Sequence, residues 1–335
     1  MTREPLVSVI IPSYDSARTL ELCLRSVAEQ THAPIEILVV DDCSTDGSAH
    51  IAESMGVTVL RTPVNSGQSV ARNLGAEHAR GSILFFLDAD VALAPDSVQA
   101  AVAALAADAS LGAVSGVYDL EPLLSTSLLA QYRARQMHHW WMSSEGPTGG
   151  PHTAMFAIWA SVFREIGSFN PRLRHTEPQE YGHRLRQRYQ TRMSMSVHGR
   201  HGHEASLRVL LPKVFRRARA SMLEWRRGEA LGGTHGAPSR AVSSGLLLGA
   251  LLALPLPSWF GIAGAGVTPA LLAIAIALDT TTYRRVFADR GVLFGLYFVA
   301  VHLVFQLTAA LGALAGAAQR TVRAAAPGWA AGEAR

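Results

Sequence analysis

The sequence predicts an α/β protein: a mostly parallel sheet with flanking helices, continued by an interfacial helix and apolar transmembrane helices. Three observations carry this expectation. Residues 1–120 alternate short apolar runs with stretches of helical apolar spacing. Residues 121–240 are rich in Arg, His and aromatic side chains and end in a basic amphipathic stretch. Residues 241–278 and 291–319 carry no Asp, Glu, Lys or Arg.

The first strand is Val7 to Ile11, ending at Pro12, and a helix follows from Thr19 to Gln30 with apolar side chains at 20, 22, 24 and 27. Ile35 to Val40 forms a second strand that runs into Asp41-Asp42. A short helix from Gly47 to Met55, a strand Val57 to Leu60 and a helix Ser69 to Ala79 come next. Ser82 to Leu87 is a fourth strand, running into Asp88-Ala89-Asp90, and Val98 to Ala107 is again helical. This β-α-β-α order implies a parallel sheet covered on both faces. Ligands on such sheets bind beyond the carboxyl ends of the strands. Here those ends carry Pro12-Ser13-Tyr14, Asp41-Asp42 and Asp88-Ala89-Asp90.

Beyond residue 120 the pattern is less regular. Trp140, Trp141 and the Gly/Pro/Thr-rich stretch 146–151 mark a loop near a binding surface. Leu207, Leu210, Leu211, Val214, Phe215, Ala218, Met222 and Trp225 recur at helical spacing, interleaved with Arg208, Lys213, Arg216, Arg217, Arg219, Arg226 and Arg227. Such a segment lies in a membrane interface, here bent at Pro212. The 38 uncharged positions of 241–278 are long enough for two crossings of a ~30 Å apolar core, turning at Pro255 and Pro257. The stretch 291–319 adds one more, with His302 and Gln306 as interhelical contacts and Gly312 and Gly316 as a small-residue pair. The expected divisions are 1–120, 121–206, 207–240 (juxtamembrane), 241–319 (two or three transmembrane helices) and 320–335 (tail).

Composition agrees. Apolar residues make up 49% and charged residues 17%, against roughly 25% charged in ordinary soluble proteins. Two cysteines imply no disulfide framework and fit a reducing compartment. Met1 to Pro5 lacks the features of a signal peptide. Residues 1–120 hold 6 basic and 15 acidic side chains, residues 121–240 hold 18 and 8. The acidic part suits a metal ion; the basic part suits phosphates or an anionic membrane. The Arg-rich stretch before residue 241 places everything N-terminal to it in the cytoplasm. Arg284, Arg285 and Arg290 fit a cytoplasmic loop, whereas Arg320 and Arg323 conflict mildly with an external tail unless one segment is re-entrant or in-plane. No nucleic-acid motif accompanies the basic stretch, so no nucleic-acid partner is expected.

Asp88-Ala89-Asp90 offers two carboxylates to a hard divalent cation, Mg²⁺ or Mn²⁺, that would share a substrate diphosphate. The order Val7-Ser8-Val9-Ile10-Ile11-Pro12-Ser13-Tyr14, Val39-Val40-Asp41-Asp42-Cys43-Ser44-Thr45-Asp46-Gly47-Ser48, Asn65-Ser66-Gly67 with Ala71-Arg72-Asn73-Leu74-Gly75, and Phe86-Leu87-Asp88-Ala89-Asp90 closely resembles the family 2 glycosyltransferases of the GT-A fold. The resemblance is specific over residues 7–120 and looser to about 230. The tail resembles members with C-terminal membrane helices.

The resemblance implies roles. Pro12 and Tyr14 would line the nucleotide pocket, Asp42 would accept a hydrogen bond from the base, and Arg72 and Asn73 would lie near the phosphates. Asp88 and Asp90 would hold ribose and metal, and His201 would complete the metal site, with His203 second. Arg200 would offset diphosphate charge. Many relatives carry Glu-Asp at the position of the catalytic base; here Glu177 is followed by Pro178. Glu177 serves as the base, or Glu180 does, or none is needed because the acceptor is a lipid phosphate. Glu180 has a plainer reading as an ion pair with Arg184, four residues on.

The implied protein is a multi-pass enzyme of the inner (plasma) membrane with its catalytic domain in the cytoplasm. It would invert the anomeric carbon while moving a sugar from a nucleotide diphosphate sugar, UDP-linked by family habit, to a lipid or lipid-linked glycan. The rivals are a polyprenyl-phosphate glycosyltransferase and an inactive transferase-like binding module. Self-association through the membrane helices stays open.

Overall fold

The computed structural model describes residues 4–142, 146–147, 151–173, 176–203, 206–224 and 238–325. Trp225, Arg226 and Arg227, residues 148–150 of the loop and the end of the tail lie outside the described residues. The chain divides into two compact units, Met1–His203 and Glu204–Arg335.

The first unit opens with β1 (Val7–Ser13), α1 (Leu20–Ala28), β2 (Ile35–Asp41), α2 (Ser48–Ser54), β3 (Thr58–Arg61), α3 (Gln68–His78) and β4 (Ile83–Leu87). These are the expected elements, each within a few residues of its expected limits. β1 pairs in parallel with β2 and β4, and β2 with β3. Apolar side chains point both ways. Val7, Val9 and Ile11 enter one buried cluster and Ile10 the other, which is why the strand is apolar on both faces apart from Ser8. On the second face Gly75 lets α3 approach β1 closely: a Cβ there would stand 2.4 Å from Ile10 Cγ2.

The second half of the unit joins the same sheet. β5 (Val91–Leu93), α4 (Ser97–Ala107), β6 (Leu111–Tyr118), α5 (Leu128–Met142), β7 (Gly146–Pro147), β8 (Met155–Trp159), α6 (Ala160–Ile166), α7 (Glu177–Arg186) and β9 (Gln190–His201) complete it. The strand order is β3-β2-β1-β4-β8-β6-β9-β5, with β7 beside β9. The sheet is mixed rather than uniformly parallel: β8 runs against both β4 and β6, and β9 against β5. β8 therefore begins at the carboxyl end of β4, with Met155 opposite Leu87. That brings the segment before β8 to the same edge as Asp88 and Asp90.

The second unit is helical: α8 (Leu207–Glu224), α9 (Pro238–Leu252), α10 (Leu256–Phe260), α11 (Ile262–Ala265), α12 (Val267–Leu278) and α13 (Thr280–Ala325). Two expectations change here. The stretch 241–278 does not form two crossing-length helices. α9 has 15 residues and α12 has 12, which at 1.5 Å per residue span about 22 and 18 Å, short of a ~30 Å core. Among the described residues one span, Thr280–Val322, is long and apolar enough to cross by length and composition, so the multi-pass expectation is not supported. It is not one straight rod. Gly291 has φ 78° and ψ −179°, and Tyr283 lies with its ring 6.3 Å from that of Phe298, although 15 residues of helix would separate them by about 22 Å. The chain reverses at Gly291, and the segment after it is the crossing-length one.

The basic α8, expected to lie in a membrane interface, packs lengthwise on α13. Gly312 and Gly316 make the groove: Cβ atoms there would stand 2.4 Å from the Phe215 carbonyl oxygen and 2.5 Å from that of Arg219. Arg219 Nε also donates to Gln319 at 3.0 Å. Gln306 is an interhelical contact, as expected. It accepts from Ser243 Oγ of α9 at 2.6 Å and donates to Asp279 at 2.7 Å. Side chains such as Trp259, Ile262, Leu293 and Leu296 stand exposed, as an apolar surroundings would require.

Candidate active site

The carboxyl edge of the sheet gathers the chemistry. The loops after β1 and β2 are stitched together: Thr45 N–H donates to Asp15 at 2.8 Å, Ala17 N–H to Asp46 at 2.8 Å and Ser16 N–H to Ser48 Oγ at 2.8 Å. Asp15 and Cys43 sit at φ 47° and 66°, a backbone region that side chains disfavour and that clusters at binding sites. Pro12 pairs with Val40 at the end of the strands, and Tyr14 is half exposed beside them. These two residues form an open ledge suited to an aromatic base.

Asp42 is buried and largely committed. Thr62 Oγ1 and Ser66 N–H donate to one of its oxygens at 2.6 and 2.8 Å, and Gly67 N–H to the other at 2.7 Å. The carboxylate thus orders the loop that starts α3, where Gly67 supplies φ 89°. One lone pair on Oδ2 remains for a ligand.

Arg72 is the centre of a buried ionic cluster that the sequence spacing did not reveal. It is 1% exposed. One nitrogen donates to Asp88 Oδ1 at 2.8 Å and to Gln68 Oε1 at 3.3 Å; the other faces Glu177 Oε1 at 3.5 Å. Gln68 also donates to Glu177. Burial pushes the Glu177 pKa up, against the pull of Arg72. Its Oε2 and Arg72 Nε are buried without a hydrogen bond among the described residues.

The two glutamates considered as bases are therefore both engaged. Glu177, wholly buried, faces a guanidinium that its carboxylate helps to hold. Glu180 accepts two bonds from Arg184, at 2.7 and 3.0 Å, and Arg184 in turn donates to the carbonyls of Ile166 and Ser168. That pair braces the turn after α6. Asn73 has a similar duty: both ends of its amide bond the backbone of Phe169, at 2.8 and 2.9 Å. The structure thus gives Asn73 a scaffolding contact rather than an open face toward phosphates.

A divalent cation fits the edge in part. Asp90 Oδ2 and His201 Nε2 are 3.3 Å apart, close to the ~3 Å between adjacent ligands around an ion at 2.0–2.1 Å. Burial opposes a proton on His201, but Asp90 and then Asp88 hold its pKa above the ordinary value. Asp88 turns to Arg72 instead, and no group of three His, Cys, Asp or Glu among the described residues is arranged around one ion. The expected trio is thus a pair, a number usual for Mg²⁺-type sites completed by phosphates and water. Arg200 does not join it. It is exposed, and alternation along β9 sends it to the face opposite His201.

Tyr118, His152 and Arg133 escaped the sequence reading, and Trp141, expected in a loop near a binding surface, lies in helix α5. Tyr118 stands edge-on to His201 and to His152, each 4.6 Å between ring centroids, and Trp141 stacks on His152 at 3.8 Å. The charge of Arg133 reaches His201 and His203. These lie on β6, α5 and the segment before β8, and the antiparallel return of β8 brings that last segment to Asp88.

Residues 8–167 match the family model described as glycosyl transferase family 2. A protein of Bacillus subtilis described as a candidate teichuronic acid biosynthesis glycosyltransferase, TuaG, is 42% identical over 92 residues, covering 26% of this chain and 36% of that protein. The glycosyltransferase AglE of Haloferax volcanii is 41% identical over 93 residues, covering 26% and 31%. The chain thus spans about a third of the length of these curated relatives. A mannosyltransferase from Pyrobaculum calidifontis, solved in complex with GDP-Man and Mn²⁺, shares the fold, with a TM-score of 0.56, 22% identity and coverage of 96% of this chain and 88% of that one. The family match, the relatives' names and the strand-end cluster agree that residues 8–167 match a family 2 glycosyltransferase domain.

Proposed function

We propose that this chain is a membrane-associated, divalent-metal-dependent, inverting glycosyltransferase. It moves a sugar from a nucleoside diphosphate sugar to a lipid or lipid-linked glycan at the cytoplasmic face. The observation that supports it best is the convergence of Tyr14, Asp42, Arg72, Asp88, Asp90 and His201 on one sheet edge. UDP is the family's usual nucleotide, and the GDP-Man bound by the Pyrobaculum protein keeps guanosine in view.

Tyr14 and Pro12 hold the base, with the spare lone pair of Asp42 accepting from it. Arg72 fixes Asp88 for the ribose and lends positive charge toward the diphosphate. Asp90 and His201 would hold Mn²⁺ or Mg²⁺, which when bound neutralises charge on the leaving diphosphate. The acceptor oxygen then displaces that diphosphate from the anomeric carbon in line, so orientation does most of the work. The apolar, surface-exposed helices of the second unit keep the enzyme at the bilayer where a lipid-borne acceptor resides. A phosphate acceptor is the second reading, and Pro178 favours it because an ionised oxygen needs no base.

The test uses the full chain in detergent, with UDP- and GDP-sugars, Mn²⁺ or Mg²⁺, and a crude lipid extract. Nucleotide release that requires metal, rises with lipid and disappears in Asp90→Ala supports the reading. Nucleotide binding without release from any donor refutes it and leaves an inactive binding module.

A further inference from the structure

We propose that His152 takes the proton from the acceptor, and hence that the acceptor presents a hydroxyl rather than a phosphate oxygen. The inference rests on the glycosyl-transfer reading above. It starts from a gap: Pro178 offers no proton acceptor, and Glu177 and Glu180 are bound to Arg72 and Arg184.

His152 lies just before β8, two residues from Ala154, whose carbonyl accepts the Asp88 N–H at 3.1 Å. Its Nδ1 is 2.9 Å from the Gly116 carbonyl. A carbonyl only accepts, so Nδ1 carries the hydrogen and Nε2 carries the lone pair. The backbone N–H of His152 is held by Ser115 Oγ at 3.0 Å. The ring is clamped between the Trp141 face and the Tyr118 edge. Nε2 takes no hydrogen bond among the described residues.

The surroundings keep that lone pair available. Burial lowers the His152 pKa to about 3, with the charges of His201 and Arg72 adding to the effect and the Gly116 bond opposing it. The ring is therefore neutral at physiological pH. The Tyr118 ring meets both His152 and His201, each 4.6 Å between centroids, which sets His152 beside the Asp90–His201 pair. An ionised phosphate acceptor would have no use for such a group; a hydroxyl would.

The step balances. The acceptor oxygen forms a bond to the anomeric carbon, and the bond from that carbon to the diphosphate oxygen breaks, its electron pair leaving with the nucleoside diphosphate. The hydroxyl proton passes to His152 Nε2, and the imidazolium returns it to solvent after product release.

His152→Asn tests this, because the asparagine amide can still donate to the Gly116 carbonyl but holds no basic nitrogen. The probes are GDP-mannose and UDP-glucose with Mn²⁺ and the full chain in detergent, with water as acceptor. The expected result is a fall in kcat of about 10²-fold, with unchanged Mn²⁺-dependent nucleotide binding and partial rescue by added imidazole. Turnover at the wild-type rate overturns the proposal, as does loss of nucleotide binding in step with turnover, which marks a structural role. If His152→Asn does not fold, the wild type decides: slower turnover in heavy water is expected, and equal rates overturn the proposal. A wild type that turns over neither donor removes the transferase reading itself, and this proposal with it.

Discussion

Replacing Arg72 by leucine removes the one cation that two carboxylates share. Glu177 has no exposed surface and would be left with the Gln68 amide and its own backbone N–H. Asp88, whose side chain is 31% exposed, can turn to water and matters less. Removing one partner of a buried pair costs about 3–5 kcal/mol, because the other charge stays buried. A unit of this size loses roughly 2–4 °C in Tm per kcal/mol, so Arg72→Leu should melt about 6–20 °C below wild type. Glu177→Leu should cost less, about 1.5–3 kcal/mol, since Arg72 keeps Asp88 at 2.8 Å. The double variant carries the sharper test. Apolar side chains in place of a buried pair are often close to neutral, so Arg72→Leu/Glu177→Leu should melt above Arg72→Leu alone. The assay is thermal unfolding in detergent by intrinsic fluorescence at neutral pH. An Arg72→Leu protein within about 2 °C of wild type would refute the reasoning, as would a double variant less stable than Arg72→Leu.

Two further outcomes follow from the same contacts and from the second unit. Glu177 has a folded pKa raised by burial above its ordinary 4.5. Its proton is held more tightly in the folded state, so the stability it contributes is full below pH 4.5 and is lost as pH rises through the raised value. Glu177→Gln lacks this slope; denaturant midpoints at pH 4 and pH 7 should therefore favour wild type more at pH 4, and a constant difference would contradict the assignment. Gly312→Leu should cost about 1–3 kcal/mol by overpacking, since its first side-chain carbon would meet the Phe215 carbonyl oxygen at 2.4 Å. Leu311→Ala, on an exposed position of the same turn, should leave the melting temperature unchanged, and similar effects from both would deny that α8 seats on the glycine groove.

The part of the fold legible in the sequence is the part with local periodicity. β1, β2 and β4 are mostly apolar runs because both faces of the sheet are covered there, and each ends at a polar cluster that the chain direction places on one edge. β5, β8 and β9 are not legible that way. β9 alternates buried and exposed positions irregularly across its 12 residues, and β8 owes its antiparallel direction to a pairing with β4 that no local pattern encodes. In the second unit, absence of charge correctly marks apolar helices but not their lengths. The φ of Gly291 decides where the long one reverses, and a glycine in an apolar run carries no sign of that.

The same division runs through the site and explains its errors. Residues identified by type and position at a strand end, such as Tyr14, Asp42, Asp88 and Asp90, do reach the common edge. Roles that depend on a partner distant in sequence do not follow from type. Glu177 looks like a base until Arg72, 105 residues away, is found against it. Asn73 looks like a phosphate ligand until Phe169 takes both ends of its amide. Arg200 looks like a neighbour of His201, yet one residue along a strand is the opposite face. His152 is the converse. An isolated histidine in a Gly/Pro-rich loop offers no motif. The Gly116 carbonyl that fixes its tautomer and the Trp141 and Tyr118 rings that fix its orientation come from two other elements. A side chain's chemistry is set by what folds against it, so the base was the role least readable from the sequence, and the histidine now proposed for it stands where three chain segments meet.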